Sequence, residues 1–218
     1  VRGICLVYPV ITNVDPWNGA TGNWITIEGA SFGDTAGTVW FGADGEDVNN
    51  TVDDYEFTVL ADVPQCSADI WRDSYIIAQV PDDVNLNVGS QSAIRVVRGD
   101  DPTLFDTTVN DDGPSGFPGS PDGLFTKNEI SRPGLCSIEP DAGVPNTAVA
   151  VNGNAFGDDP LVFFGNIPAP VRNVVVNTQG DQLETEVPTN ARPGRVGLVV
   201  RSGDESSNGI PFQIFSST

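Results

Sequence analysis

The pattern of WITIEGASFGD, Trp24 to Asp34, returns in AVAVNGNAFGD, Ala148 to Asp158, 124 positions later. In both phrases apolar residues alternate, halt at a glycine and run into a Phe-Gly-Asp turn. Side chains on a strand alternate between two faces, so Ile25 and Ile27, like Val149 and Val151, face one way. Thr26 and Ala150 face the other, which predicts strands with one face on a core. Gly29 and Gly153 are expected to end these strands, in a backbone conformation that a β-carbon would oppose. Phe32 and Phe156 then fold back as hydrophobic plugs, and Gly-Asp supplies the next turn. A phosphate cradle would need a helix N-terminus behind the glycines; the sequence offers none, so the phrase reads as scaffold.

The duplication extends through the chain. Pro16 matches Pro140 at an offset of 124, VWFG from Val39 matches VFFG from Val162 at 123, and AQVP from Ala78 matches TEVP from Thr185 at 107. The VVR triplets at Val96 and Val199 stand 103 apart, and Gly123 pairs with Gly209 at 86. A falling offset means that the first copy carries extra residues at discrete sites between constant strands, as loops on a fixed scaffold do. No window of a dozen residues shows a helical apolar stripe free of Gly and Pro. Short Val, Ile, Thr and Phe runs between Asn, Asp, Gly and Pro predict an all-β chain of sandwiches. Its parts are an extension strand over 1–8, a first domain over 9–127 and a second over 134–218. The short tether around Pro133-Gly134 predicts a semi-rigid rod.

The ordered set of VITNVDP, the Gly-rich turn, WITIEGASF, VWFG, IWRDSYIIAQVP and SSNGIPF resembles the IPT/TIG family of immunoglobulin-like domains. The resemblance covers about residues 9 to 216 in two copies. It implies two tandem immunoglobulin-like β-sandwiches, of the kind that serve in adhesion, as spacers, or as accessory domains beside enzymes. The second copy departs from the pattern by lacking the W-x-D stretch, where Asn177 to Asp181 stand instead.

A net charge of −20, with 30 acids against 10 bases, repels phosphate backbones and argues against nucleic-acid binding. No run approaches 18 apolar residues, so no membrane-spanning helix is expected. The chain has no histidine, which removes Ser-His-Asp and Cys-His catalysis and most zinc chemistry, and no enzyme is expected. No cofactor is required. Calcium is admitted by the acidic insertion after Arg98, through Asp100, Asp101, Asp106, Asp111 and Asp112, because it favours oxygen-rich loops. The EF-hand register is absent, however, and a solvated loop facing a partner is the plainer reading. Arg98-Gly99-Asp100 spells an integrin-type tripeptide, read here as a chance occurrence. Trp40, Phe41, Phe163 and Phe164 are adjacent aromatics on opposite faces; the outward member of each pair could stack on sugar rings, although packing is the commoner role.

Of three cysteines, Cys5 and Cys66 are expected to form a disulfide, leaving Cys136 as a buried thiol. Ile4, Leu6, Tyr8 and Val10 share one face of an apolar N-terminal strand lying outside the recognisable domain. That strand either pairs along the first copy or adds to a neighbouring subunit's sheet, a mode of association that joins chains into fibres. The expectation is an extracellular or cell-surface structural and adhesive protein, a spacer or a fibre subunit, with protein partners that include copies of itself. The alternative is a carbohydrate- or protein-binding accessory module of a larger secreted enzyme or receptor.

Overall fold

The computed structural model describes residues 7–42, 57–61, 70–82, 87–109, 123–176 and 180–217. Among these, every regular element is a strand. In the first copy they are β1 (Val10–Asp15), β2 (Asn18–Gly19), β3 (Trp24–Ala30), β4 (Thr38–Gly42), β5 (Phe57–Leu60), β6 (Trp71–Arg72), β7 (Tyr75–Gln79), β8 (Gln91–Ser92), β9 (Ile94–Val97), β10 (Phe105–Thr107) and β11 (Phe125–Lys127). The second copy holds β12 (Gly134–Glu139), β13 (Ala142–Gly143), β14 (Ala148–Asn154), β15 (Leu161–Phe164), β16 (Ile167–Ala169), β17 (Val171–Val175), β18 (Asp181–Glu186), β19 (Gly194–Ser202), β20 (Glu205–Ser206) and β21 (Ile210–Ile214).

Sheet β1-β3-β7-β6 packs on sheet β10-β9-β4-β5, and a small sheet β2-β11-β8 closes one end. Ile25, Ile27, Ile76 and Ala78 of one layer meet Val39, Phe41, Ile94 and Val96 of the other in a single buried cluster. The second copy repeats this with β12-β14-β18-β17 against β13-β21-β19-β15-β16. Both are two-layer immunoglobulin-like sandwiches whose cores are made from the alternating inward residues. Among the described residues each core holds an edge-to-face aromatic pair: Phe41 on Phe125 at 5.4 Å and Phe164 on Phe212 at 5.0 Å between ring centroids. β2 and β13 each pair in parallel with the last strand of their copy.

In the first copy the strand facing β4 is interrupted. β8 pairs with β11 and β9 with β4, the break falling at Ala93. In the second copy β19 runs unbroken and pairs with both β21 and β15. The ladders also correct the sequence alignment. Val39 pairs with Val96, and Val162 pairs with Val200, all four buried. The two VVR triplets are therefore one residue out of step, and the structural counterpart of Arg98 is Ser202, not Arg201. A slip of one residue exchanges the faces of a strand, so the look-alike arginines serve different surfaces.

Gly29 and Gly153 do not end their strands, which continue to Ala30 and Asn154. Nor is positive φ the reason for glycine there. A β-carbon at Gly29 would collide with the Val10 carbonyl and the Phe32 ring, and one at Gly153 with the Gly134 carbonyl and the Phe156 ring. The glycine makes room for the plug. Left-handed backbone falls later, at Ser31 and Gly33 and at Ala155 and Gly157, with φ of 61°, 81°, 55° and 71°. That turn drives Phe32 and Phe156 inward, where both are fully buried.

Candidate functional site

The largest departure from the expected pattern is on β3. Trp24, Ile25, Thr26 and Ile27 are all buried, so both faces of the strand are covered. Ile25 and Ile27 face their own core, while Trp24, with Tyr75 and Ile77 of β7, belongs to the hydrophobic cluster of the second copy. The outer face of the first sheet is thus seated on the second sandwich, beside β12 and the turn before β21. Gly134, which opens β12, lies against the Trp24 indole so closely that a β-carbon would sit 2.7 Å from the ring.

Polar groups complete this seam. The Asn208 side chain accepts the Leu135 N–H at 2.7 Å and donates to the Leu135 carbonyl at 2.9 Å and to Thr26 Oγ1 at 2.9 Å. Asp15 Oδ2 accepts the Gly209 N–H at 2.9 Å. Burial pushes the Asp15 carboxyl above its ordinary value, and Glu28 adds to this, while the Gly209 N–H and Arg132 pull the other way. Arg195 pairs with Glu28 at 3.2 Å, and Arg132 with Glu205 at 3.5 Å. Asn23 holds the connector, donating to the Ile130 carbonyl at 2.7 Å. A cleft of about 160 Å³ opens beside the seam between Tyr75, Asp141, Arg195 and Gln213.

Cys136 lies buried in β12 and is disulfide-bonded, so it is not the leftover thiol. With three cysteines in the chain, a Cys5–Cys66 bridge cannot coexist with it. Its partner is one of those two, and both lie outside the described residues. Cys136 is buried as expected, but burial does not choose a partner.

The acidic residues proposed for calcium are separated by their protein partners. Asp100 receives a two-point contact from Arg98, at 2.8 and 2.6 Å. The Arg98 interaction holds the Asp100 carboxyl below its ordinary value. Asp101 accepts both the Thr103 N–H at 3.0 Å and its hydroxyl at 2.7 Å, and these bonds depress it likewise. Asp106 is a strand residue on β10, buried, with Oδ2 accepting the Ile11 N–H at 2.6 Å. It caps in the first copy the backbone position that Asn208 caps at Leu135 in the second, where each first strand carries a bulge. Asp111 and Asp112 lie outside the described residues. Arg98 also donates to the Ser31 carbonyl at 2.9 Å and to the Val7 carbonyl at 3.2 Å. The tripeptide is thus engaged internally, clamping the Phe32 turn together with Trp71, whose indole N–H reaches the Gly33 carbonyl at 3.1 Å, and Asp73, which accepts the Gly33 N–H at 2.9 Å.

Of the N-terminal set, Ile4 and Leu6 lie outside the described residues, and Tyr8 is half-buried. Val10 is not part of an overhang: it opens β1, opposite Ala30. Trp40 and Phe163 are the outward aromatics. Trp40 pairs across strands with Arg95, whose guanidinium stacks on Phe105 at 4.4 Å, and Arg201 stacks on Phe163 at 4.6 Å. An apolar cavity of about 130 Å³, bordered by Val39, Leu60, Trp71 and Ile77, has no titratable group in its lining.

Two β-sandwiches joined by a packed seam define an immunoglobulin-like tandem. The chain belongs to the IPT/TIG domain family, which it matches over residues 9–113 and 133–214. No curated protein matches it. Among solved structures it is similar to the SGBP-B protein of a complex xyloglucan utilization locus in Bacteroides uniformis, at 18% identity and a TM-score of 0.32, covering 94% of this chain and 49% of that one. It is similar also to an SGBP-B of a Bacteroides ovatus mixed-linkage glucan utilization locus in complex with a heptasaccharide, at 13% identity and a TM-score of 0.35, covering 91% and 42%. A third likeness is to the plexin A4 extracellular region, at 16% identity and a TM-score of 0.33, covering 95% and 18%. The chain spans less than half the length of each.

Proposed function

We propose that this chain is an extracellular, non-catalytic structural protein: a stiff two-domain unit that works as a surface spacer or as the repeating subunit of a fibre. One observation carries the reading. Cys136 in the second copy is disulfide-bonded, and its candidate partners, Cys5 and Cys66, both precede the second copy. The cross-link therefore ties the second copy to the part of the chain that precedes it, and structural disulfides belong to oxidising compartments. With Trp24, Tyr75 and Ile77 buried in the seam, it makes one body of two domains. Fibre growth would use sandwich-to-sandwich contacts and strand addition at the N-terminus. Electron micrographs of native material test this: polymers support the fibre, and isolated short rods leave only the spacer. Peptide mapping without reductant that finds Cys136 as a free thiol removes the compartment argument.

A second reading, glycan binding, is favoured by the outward Trp40 and Phe163 beside stacked arginines. Retention on a glycan array that is lost in Trp40→Ala supports it, and no retention counts against it. Calcium held by the acidic loops would raise the melting midpoint; an unchanged midpoint with chelator disposes of it.

A further inference from the structure

We propose that the outer face of sheet β13-β21-β19-β15-β16 binds a glycan carrying an isolated carboxylate on otherwise neutral sugars, with Arg201 as the carboxylate receptor. The inference rests on the glycan reading above and names the face and the class of sugar.

The inward side chains of this sheet are Val162, Phe164, Leu198, Val200, Ile210 and Phe212, so the alternate positions point outward. On that outer face Leu161 stands opposite Arg201 and Phe163 opposite Val199. Gly197 follows opposite Pro211, and Arg195 opposite Gln213. β15, β16, β19 and β21 hold no Asp or Glu at any position, in a chain with 30 acids. The other sheet of the same copy holds Glu139, Asp181, Glu184 and Glu186. The seam reaches this face only at Arg195, and Leu161 at the other end is 53% exposed.

Arg201 is a cation without a carboxylate. Arg132, Arg172 and Arg195 pair with Glu205, Glu186 and Glu28. Arg201 is exposed and has no such partner among the described residues. Its guanidinium lies over the Phe163 ring at 4.6 Å, and its Nε donates to Ser206 Oγ at 3.0 Å. Stack and tether fix the guanidinium plane before a ligand arrives. The two terminal nitrogens are left to donate to a carboxylate in the paired geometry that arginine favours. Phe163 acts through Arg201, as a positioning residue.

Gly197 is the second observation. Its backbone is not left-handed, and a β-carbon there would meet nothing within 4 Å. Neither conformation nor packing demands glycine in the middle of the nine-residue β19, where it weakens the strand. What it provides is a shallow floor between Arg195 and Val199, on which the apolar face of a sugar ring can lie. The floor runs into the cleft of about 160 Å³ that Arg195 and Gln213 share with Tyr75 and Asp141. From Arg201 to Arg195 the track measures about 20 Å, which suits an extended ligand. A polyanion is repelled by the net charge of −20, by Asp141 in the cleft and by Glu28 on Arg195, so the rest of the ligand is neutral. A peptide strand would need an open ladder, and β16, the edge strand beside Phe163, is blunted by Pro168.

Titration calorimetry of the full chain tests this with two probes: an oligosaccharide carrying one glucuronic acid, and the same oligosaccharide with glucose in its place. The acidic probe is expected to bind at least about tenfold more tightly, the effect of one charge-assisted pair. Arg201→Gln should erase the difference, and Arg201→Lys should restore only part of it, since an ammonium lacks the planar fork. Gly197→Val should abolish binding of both probes while the melting midpoint stays equal or rises, because valine favours strands and meets open space there. Equal binding of the two probes, or binding undiminished in Arg201→Gln and Gly197→Val, overturns the inference. If Trp40→Ala then removes that binding, the glycan reading stands on the first copy instead. Binding of neither probe overturns the inference, and retention of other, neutral glycans on the array would still leave the broader reading intact. An acidic peptide that binds in place of the sugar, with the same dependence on Arg201, overturns the ligand class.

Discussion

β3 and β14 occupy the same place in the two copies, yet one is buried on both faces and the other on one. β14 alternates as period two demands, with Val149 and Val151 buried and Ala148 exposed. Across from Ala150 stands Glu184, and across from Asn152 stands Gln182. In the first copy the same places read Thr26 opposite Ile77 and Glu28 opposite Tyr75. The inward residues are interchangeable between the copies, whereas the outward residues are not. The two copies share one sandwich plan, and the outer face of β3 and β7 is what makes the first a docking surface. The conserved-looking scaffold therefore explains why each copy folds, and the outer-face differences explain why the pair holds together.

Exchanging the outer residues is the strongest way to break this comparison. Ile77→Glu places an unpaired carboxylate in the seam and is expected to cost about 3–5 kcal/mol. Calorimetry should then show two transitions in place of one. The mirrored change, Glu184→Ile, lies on an exposed face and should shift stability within about 0.5 kcal/mol. Equal effects would mean that the seam contributes nothing. The plugs should behave oppositely, since they are the same in both copies. Phe32→Ala and Phe156→Ala each remove a fully buried ring, and each is expected to cost about 3–5 kcal/mol in chemical denaturation. A large inequality would show that the clamp of Arg98, Trp71 and Asp73 around Phe32 adds stability that the second copy lacks.

The caps give a finer test. Asn208→Ala strips the Leu135 backbone of both side-chain bonds and Thr26 of a donor, at about 1–3 kcal/mol for groups left buried and unsatisfied. Because Thr26 belongs to the first copy, the loss should appear as weaker coupling between domains, read by protease cleavage of the connector around Ile130. Asp106→Ala removes the matching cap at Ile11 and should destabilise the first copy alone.

How far the sequence could be read follows from where its periods are pure. Ile25, Ile27, Val149 and Val151 were legible because their partners across the core are also alternating strands. The seam was not, although a signal existed: Tyr75, Ile76, Ile77 and Ala78 form an apolar run, the pattern of a strand covered on both sides. Thr26 hid it, being polar but buried, with its hydroxyl bonded to Asn208. Asp106 looked like one more loop acid, because composition cannot tell a solvated carboxylate from one capping a bulge across the sandwich. The VVR triplets misled through identity of letters, where the buried partner sets register. Disulfide pairing depends on three-dimensional proximity, which three unspaced cysteines do not encode.

The smallest expected effect comes from Asp15, and its sign is informative. Its folded-state carboxyl is raised by burial above the unfolded value, so the folded chain holds the proton more tightly. Between the unfolded and the folded pKa the native state binds more protons, and stability falls as pH rises through that window. This one residue therefore makes the seam firmer on mild acidification, the reverse of a carboxylate held by a salt bridge. Asp15→Asn keeps an oxygen acceptor for the Gly209 N–H without the charge. The variant should match or slightly exceed wild-type stability at neutral pH and show a flatter pH profile just above the ordinary carboxylate range. The matching substitution at Asp101, an exposed carboxylate with a lowered pKa, should tilt the profile the other way, with its small contribution lost as pH falls. If Asp15→Asn instead weakens the protein at neutral pH and leaves the slope intact, the charge itself is useful at the seam, and attraction to Arg132 outweighs the cost of burial.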